Sequence, residues 1–403
     1  MLRMFKPSAL VFLGLVAASS FGQQDLIKQR EALEKQLLEY TLASSGTEAA
    51  FADEVAELKT QIEAIKKKLS ASYIQPTNQG WFSGFFQMQF ANTQSNGTTS
   101  GDFRNRRSRL NYNHLADDKT MLRFSVDFSA GTNQTGAQIR DGFIQFKPNS
   151  YLAQSGPTYT IGQQLTPLGY DISLASWARL WPERSVYEQA YHNGERGRGF
   201  LYQNGDSSNY WFAGLWSSMM VNDFEAVNNS RGPAGEIGPI GGLRLKRGAW
   251  EGGLSALSTR RPRFVSGNTD LPVADRKFTY FDVRYNPKSS RFDIRAEYMQ
   301  GKDRIPGQNY AATDTTGYHV VMDYKVNKTD SFVLRHEEWD ADSSLDGGLT
   351  TLNGIAYVRD VSQFVRLSLA WQWNTQLGQA TVTPANAPIN SIQQLTLRAQ
   401  FKF

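Results

Sequence analysis

The sequence predicts an all-β protein, a transmembrane antiparallel β-barrel of about sixteen strands that follows a short α-helical coiled coil. Three observations support this fold class. From Trp81 onward apolar and polar residues alternate with a period of two, as in strands with one lipid-facing and one water-facing side. The connections between these segments are alternately short and long. The last stretch, residues 391–403, ends on an aromatic residue of its own apolar face.

The first 22 residues have the pattern of a secretory signal peptide. Arg3 and Lys6 precede ten apolar residues, 9–18, and small residues end the segment. We therefore expect cleavage after residue 22 and export. The apolar run is about half as long as a membrane-spanning helix and no later run is longer, which excludes a helical membrane protein. The absence of cysteine excludes a disulfide framework, thiol catalysis and a lipid-modified cysteine.

Residues 23–72 predict a periplasmic coiled coil, and residues 73–80 a linker to the barrel at residues 81–403. Apolar residues recur at spacings of three and four, with one interruption at Arg30. The polar residues 44–47 leave two structures open, a helical hairpin and one long helix. Three roles also remain open for the segment. They are a spacer, a trimerisation stalk and a contact with periplasmic or cell-wall partners.

Sixteen candidate strands make up the predicted barrel. They begin near positions 81, 102, 119, 138, 156, 197, 209, 240, 250, 277, 291, 315, 331, 350, 364 and 391. Short connections rich in turn formers alternate with long polar stretches at 91–102, 164–197, 218–239, 259–276, 301–314 and 375–390. An even strand number with short periplasmic turns and long outer loops is typical of bacterial outer-membrane barrels. The pattern predicts an outer-membrane location, with the N-terminal segment in the periplasm.

Charged residues stay on one face of the predicted strands. Phe292, Ile294 and Tyr298, for example, alternate with Asp293 and Arg295. A lipid-facing Arg or Lys would cost about 2–4 kcal/mol at the bilayer midplane, so this segregation is physically required in a membrane strand. A barrel of sixteen strands is wide enough to hold an aqueous channel. The strand faces therefore predict a pore.

Several motifs resemble those of one known family. Residues 103–113, FRNRRSRLNYN, resemble the arginine-rich second strand of the phosphate-selective porin O and P family. Residues 140–146, RDGFIQF, are similar to a later strand of that family. Its further landmarks follow in order at Gly162-Gln163, Pro167, Gly169, Glu183-Arg184-Ser185, Arg196 and Gly199. The resemblance implies a trimeric outer-membrane porin that often prefers anions. The sequence departs from the family at Gly142, usually alanine, and at Gln164.

The predicted inward-facing residues have an excess of positive charge. The expected anion path consists of Arg107, Arg109, Arg123, Arg244, Lys246, Arg284, Arg295, Arg366 and Arg398, with Arg335 and Lys402 as further inward bases. The inward acids are Asp127, Asp141, Asp282, Asp293, Glu297, Asp323 and Glu337. Eleven bases against seven acids give an excess of +4, which favours anions in a narrow tube. In the alternative interpretation, these charges pair across strands and hold the wall.

The third long connection, residues 164–197, is expected to fold into the lumen and form the constriction. Its charged candidates are Arg179, Glu183, Arg184 and Arg196, together with Asp171, Glu188 and Glu195, for a net charge of −1. This charge argues against a strong anion filter. Trp177 and Trp181 have two interpretations. They either pack against the inner wall or form a stacking surface for sugar rings.

The expected function is passive diffusion of small hydrophilic solutes, with a weak to moderate preference for anions and phosphate among the permeant ions. Two alternatives remain open. They are a porin for sugars or other uncharged solutes and a structural envelope tether with a silent barrel. No enzyme activity, cofactor or metal is expected, since no histidine lies in a nucleophile motif. The diffuse net charge of +5 does not favour nucleic acid. The expected partners are outer-membrane lipid, small anions and further copies of the chain in a homotrimer.

Overall fold

The computed structural model describes the chain in segments. They are residues 59–63, 79–95, 97–129, 137–151, 153–192, 196–220, 236–261, 274–288, 290–303, 312–345, 348–377 and 388–403. The expected signal peptide and most of the expected coiled coil and linker lie outside these residues, while residues 59–63 are helical. No helix in the described part of the chain is long and apolar enough to cross a membrane. The chain divides into two compact units, Met1–Trp81 with Leu115–Asp118 and the remainder.

Within the described residues, sixteen antiparallel strands form a closed barrel. They are β1 (Gln79–Ser95), β2 (Thr98–Leu115), β3 (Thr120–Asp127), β4 (Gln138–Phe146), β5 (Thr158–Leu165), β6 (Arg196–Gly205), β7 (Tyr210–Met220), β8 (Ile237–Arg247), β9 (Trp250–Arg261), β10 (Ala274–Tyr285), β11 (Phe292–Asp303), β12 (Thr313–Lys325), β13 (Asp330–Asp340), β14 (Leu349–Asp360), β15 (Val365–Leu377) and β16 (Pro388–Lys402). One helix, α1 (Val186–Tyr191), lies between β5 and β6. Each strand pairs with its sequence neighbours, and β1 closes the ring by pairing with β16.

The predicted strand number is confirmed, and each predicted start lies within four residues of the observed one. Side-chain acceptors hold the short turns. The Asn327 side chain, for example, accepts hydrogen bonds from the backbone N–H groups of Thr329 (2.7 Å) and Asp330 (2.8 Å). Such Asx turns explain why these connections need only a few residues.

One predicted loop is wrong. The sequence predicts a long connection at residues 91–102, but β1 continues to Ser95 and β2 begins at Thr98. Gly97 has a positive φ of 81°, as two-residue hairpins require. The pair Asn96-Gly97 in the sequence is the signal for this hairpin, and the polar composition of the stretch conceals it.

Side-chain burial separates the two faces of the barrel wall. In β16, Leu395, Leu397 and Phe401 are exposed, whereas the intervening Arg398 and Gln400 are buried. This is the arrangement of an apolar outer surface around a polar interior. The end of the chain takes part in closing the barrel, since Phe403 and Gly84 exchange two backbone hydrogen bonds of 3.1 and 3.0 Å.

Candidate functional site

The connection between β5 and β6, described for residues 166–192, crosses the lumen. Glu183 forms ion pairs with Arg106 and Arg107 of β2. The Tyr191 ring packs on Phe278 of β10, with 5.4 Å between centroids. Because β2 and β10 lie eight positions apart in a ring of sixteen strands, one segment touches opposite walls. We call residues 166–192 the lumen loop.

On one side, the lumen loop is held by apolar packing. Leu168, Ile172, Tyr187 and Tyr191 of the loop form a buried cluster with inward residues of β6 to β11, namely Leu201, Phe212, Trp216, Ile240, Leu257, Phe278, Tyr280 and Met299. Burial of a large apolar side chain contributes about 1.5–3 kcal/mol. Without the lumen loop, these apolar side chains of the inner wall would face water. Packing against the loop therefore explains the presence of apolar residues on this part of the inner wall.

Two of the arginines expected at the constriction lie inside the lumen loop. Arg184 donates hydrogen bonds to the backbone carbonyls of Asp171 (3.1 Å), Ile172 (2.8 Å) and Leu174 (3.0 Å). Arg179 lies 3.6 Å from the Asp171 carboxylate and donates to the carbonyl of Leu174. Both guanidinium groups are buried. They fix the turns of the loop.

Buried acids lie where α1 meets the wall. Glu297 of β11 accepts hydrogen bonds from the backbone N–H groups of Tyr170 and Asp171 and from the Tyr187 hydroxyl (3.1 Å). Burial, together with the nearby carboxylates of Asp171 and Glu297, raises the pKa of Glu188 well above its ordinary value. Burial opposes ionisation of Asp171 too, but Arg179, His319 and Arg184 hold its pKa below the ordinary value. Burial and local charges therefore shift the pKa values of Glu188 and Asp171, two carboxyl groups of one loop, in opposite directions.

On the opposite side, three arginines surround the carboxylate of Glu183. Arg106 binds both oxygens at 2.8 Å, Arg107 lies at 3.2 Å and Arg398 of β16 at 2.5 Å. Burial alone would favour the neutral acid, but the guanidinium groups of Arg106, Arg107 and Arg398 hold the pKa of Glu183 well below its usual range. The side chains of Gln87 and Gln89 orient Arg107 and Arg398, each at 3.0 Å.

The other arginines of the expected anion path also have carboxylate partners. The pairs are Arg109–Asp127 (2.8 Å), Arg123–Asp141 (3.1 Å), Arg244–Glu251 (2.9 Å), Arg284–Asp293 (2.7 Å), Arg295–Asp293 (2.9 Å) and Arg366–Asp360 (2.6 Å). Arg196 begins β6, outside the lumen loop, and pairs with Asp141 at 2.9 Å. Lys246 is exposed. The geometry of these pairs fits the alternative in which lumen charges hold the wall.

Sequence reasoning missed Arg106, because strict alternation places it on the face opposite Arg107. Both residues contact Glu183, and the side chains of Asn105 and Ser108 hydrogen-bond to each other at 2.7 Å. Strict alternation therefore does not hold here, and residues 104–106 are all intermediate in burial. Glu251 and Asp360 were missed too, because each lies at a strand end where faces are hard to assign.

The two tryptophans of the lumen loop differ in environment. Trp181 is 4% exposed and packs in a cluster with Val333, Ala356, Val358 and Ala370 of the wall. Trp177 is 42% exposed, and the Lys402 ammonium lies 5.0 Å from its ring centroid. Packing against the wall therefore explains Trp181 and leaves the ring of Trp177 accessible.

Comparison with known proteins gives the fold. No protein-family model and no curated protein sequence matches the chain. Among solved structures, it is similar to an anion-selective porin from Comamonas acidovorans (12% identity, TM-score 0.59, covering 81% of this chain and 100% of that one). It is also similar to the outer membrane channel DcaP of Acinetobacter baumannii (10%, 0.58, 82% and 99%). A third similar structure is the trimer form of the Vibrio cholerae outer membrane protein OmpT (14%, 0.55, 81% and 100%).

At these identities the likeness concerns the fold alone, and the resemblance to the phosphate-selective family stays a prediction. The closed sixteen-strand antiparallel barrel of this chain is the fold of solved outer-membrane porins.

Proposed function

We propose that the protein is a porin of the bacterial outer membrane that lets small hydrophilic solutes diffuse passively. The observation that carries this proposal is a closed barrel with an apolar outer face, charged inner walls and a loop across the lumen. The similar structures support it, because they include an anion-selective porin and an outer membrane channel. Reconstitution into planar bilayers tests it. We expect ohmic conductance steps, whereas a silent barrel would favour the envelope tether.

We propose a weak to moderate preference for anions, with phosphate as one permeant among several. The inner wall is rich in arginine, but its paired acids offset most of that charge. Arg123 tests this balance, because its side chain is 33% exposed although it pairs with Asp141.

Arg123→Gln should shift the zero-current potential in a salt gradient toward cations, since it removes one fixed positive charge from the lumen. Lys277→Gln is the matched control. Lys277 is exposed and precedes the buried, inward Phe278, so it lies on the outer face. Equal potentials for wild type and Arg123→Gln would contradict a role of this wall in selectivity.

We also propose a homotrimer. The similar OmpT of Vibrio cholerae has a trimer form, and the heptad pattern of residues 23–72 is compatible with a stalk. Native mass measurements of the detergent-solubilised protein, with and without residues 23–72, should give three copies. A monomer in both cases would contradict the trimer, and a monomer of the shortened chain alone would assign trimerisation to the stalk.

A further inference from the structure

A cavity of about 420 Å³ opens at the rim of the barrel that carries the short turns. Its lining comes from the lumen loop at Trp177, the β12–β13 turn at Lys328, the β14–β15 turn at Phe364, and Arg366 and Lys402 of the adjoining strands. The volume is within the range of pockets that hold small organic ligands. The lumen loop, two short turns and the adjoining strands therefore line a single cavity.

The lumen-loop backbone beside this cavity is fixed by hydrogen bonds from three strands. Gln400 Nε2 donates to the carbonyl of Trp177 (2.9 Å), Gln87 Nε2 to that of Ser176 (3.4 Å) and Arg366 Nη1 to that of Arg179 (3.4 Å). The Trp177 indole nevertheless remains 42% exposed. Leaving so large an apolar ring in contact with water costs hydrophobic free energy that packing would recover. A fixed backbone with an accessible ring suits stacking on a ligand.

The charges of the cavity favour an acid. Lys328, Arg366 and Lys402 line it together with one carboxylate, that of Asp360. Because Asp360 pairs with Arg366 at 2.6 Å, the charges of the two lysines are left in excess. The Lys402 ammonium lies over one face of the Trp177 ring, 5.0 Å from its centroid, and the ring remains 42% exposed. A cation next to an accessible aromatic face matches a ligand that has both a ring and a carboxylate.

The remaining lining is rich in hydroxyl and amide groups, from Thr329, Ser362, Gln363 and Gln400. Such groups hydrogen-bond to hydroxyls of a ligand. We propose that this cavity is a binding site for sugar acids, with the sugar ring stacked on Trp177 and its carboxylate at Lys402 and Lys328. The biological use of the site rests on the proposed porin function, which would bring permeating solutes to it through the lumen.

Titration calorimetry of the detergent-solubilised protein with glucuronate tests binding without requiring conductance. We expect wild type to bind glucuronate at least about tenfold more tightly than glucose, benzoate or inorganic phosphate, since glucose lacks the carboxylate, benzoate lacks the hydroxyls and phosphate lacks the ring. Tenfold corresponds to about 1.4 kcal/mol. Trp177→Ala and Lys402→Gln should each weaken glucuronate binding by about tenfold.

Two control variants match these changes outside the cavity. Trp250→Ala removes an exposed tryptophan, and Lys288→Gln removes an exposed lysine of the β10–β11 turn. Both should bind glucuronate like wild type. Absence of glucuronate binding, equal binding of glucuronate and phosphate, or tighter binding of benzoate would overturn the proposal. So would wild-type affinity in both cavity variants.

Bilayer recordings then separate this proposal from the porin function. Glucuronate at constant ionic strength should reduce chloride current through wild type and, at the same concentration, reduce it less through Trp177→Ala. Calorimetric binding to a protein that conducts nothing would support the site and contradict the porin. Conductance without calorimetric binding would support the porin and overturn the site.

Discussion

The lumen loop is held by different forces on two sides of the lumen. Near β2 and β16, three arginines converge on Glu183, and the contact is electrostatic. Between β6 and β11, Tyr187 and Tyr191 are buried among apolar side chains. The arginine contact is redundant, since each guanidinium is one of three on a single carboxylate. The apolar contact depends on individual large side chains. When one of them is removed, no neighbouring side chain fills its place. We therefore expect the apolar side to contribute more than the arginine side to holding the loop.

The largest effect is expected from Tyr187→Ala. Tyr187 is fully buried, and its hydroxyl lies 2.7 Å from His319 Nδ1. Truncation of a buried aromatic side chain costs about 3–5 kcal/mol. Urea unfolding in detergent should show a loss of that size, and single-channel recordings should show noisier current as the loop detaches. Tyr187→Phe keeps the ring and should lose only about 1–3 kcal/mol. Equal losses for the two variants would contradict apolar anchoring.

An intermediate, pH-dependent effect on the free energy of unfolding is expected from Glu188→Gln. The raised pKa means that the folded state binds more protons than the unfolded state between the ordinary pKa of Glu188 and its raised value. Stability therefore falls as pH rises through that interval. The groups facing Glu188 include Arg184, Asp171 and Glu297. The neutral glutamine avoids a buried charge, so above the raised pKa the variant should be more stable than wild type by about 1–3 kcal/mol.

Thermal unfolding midpoints from acid to alkaline pH measure this effect. The curves of wild type and Glu188→Gln should lie close together in acid and separate as pH rises. Parallel curves over the whole range would mean that Glu188 keeps the same charge in the folded and unfolded states.

The smallest effect is expected from Arg106→Gln. Its side chain is 31% exposed, and partly exposed ion pairs contribute about 0.2–1 kcal/mol. Arg107 and Arg398 still bind Glu183 in the variant. Urea unfolding should show a loss within that range, and Glu183→Gln, which removes the acceptor shared by all three arginines, should lose more. A loss from Arg106→Gln as large as that from Tyr187→Ala would contradict the ranking of the two sides.

Much of the fold could be predicted from residue order because strand geometry is local. Successive side chains of a strand point to opposite faces, so a period of two in β15 or β16 specifies which residues face outward without knowledge of any neighbour. The same reasoning failed where geometry was irregular. Arg106 breaks the alternation, and the hairpin at Gly97 replaced an expected loop.

The candidate site followed from sequence only in part. Alternation along the strands predicted inner walls rich in arginine, and the residue types of the third long connection predicted a charged loop. Both features can be read from residue order without knowledge of tertiary contacts. The sequence by itself determined a barrel of sixteen strands with one polar face, since lipid imposes that pattern on each strand separately. Only the tertiary structure decided that Arg184 binds carbonyls of its own loop and that Trp181 is packed while Trp177 is accessible. The environments of the two tryptophans depend on contacts between residues distant in sequence, such as Gln400 with Trp177, and only barrel closure together with the fold of the lumen loop brings those residues together.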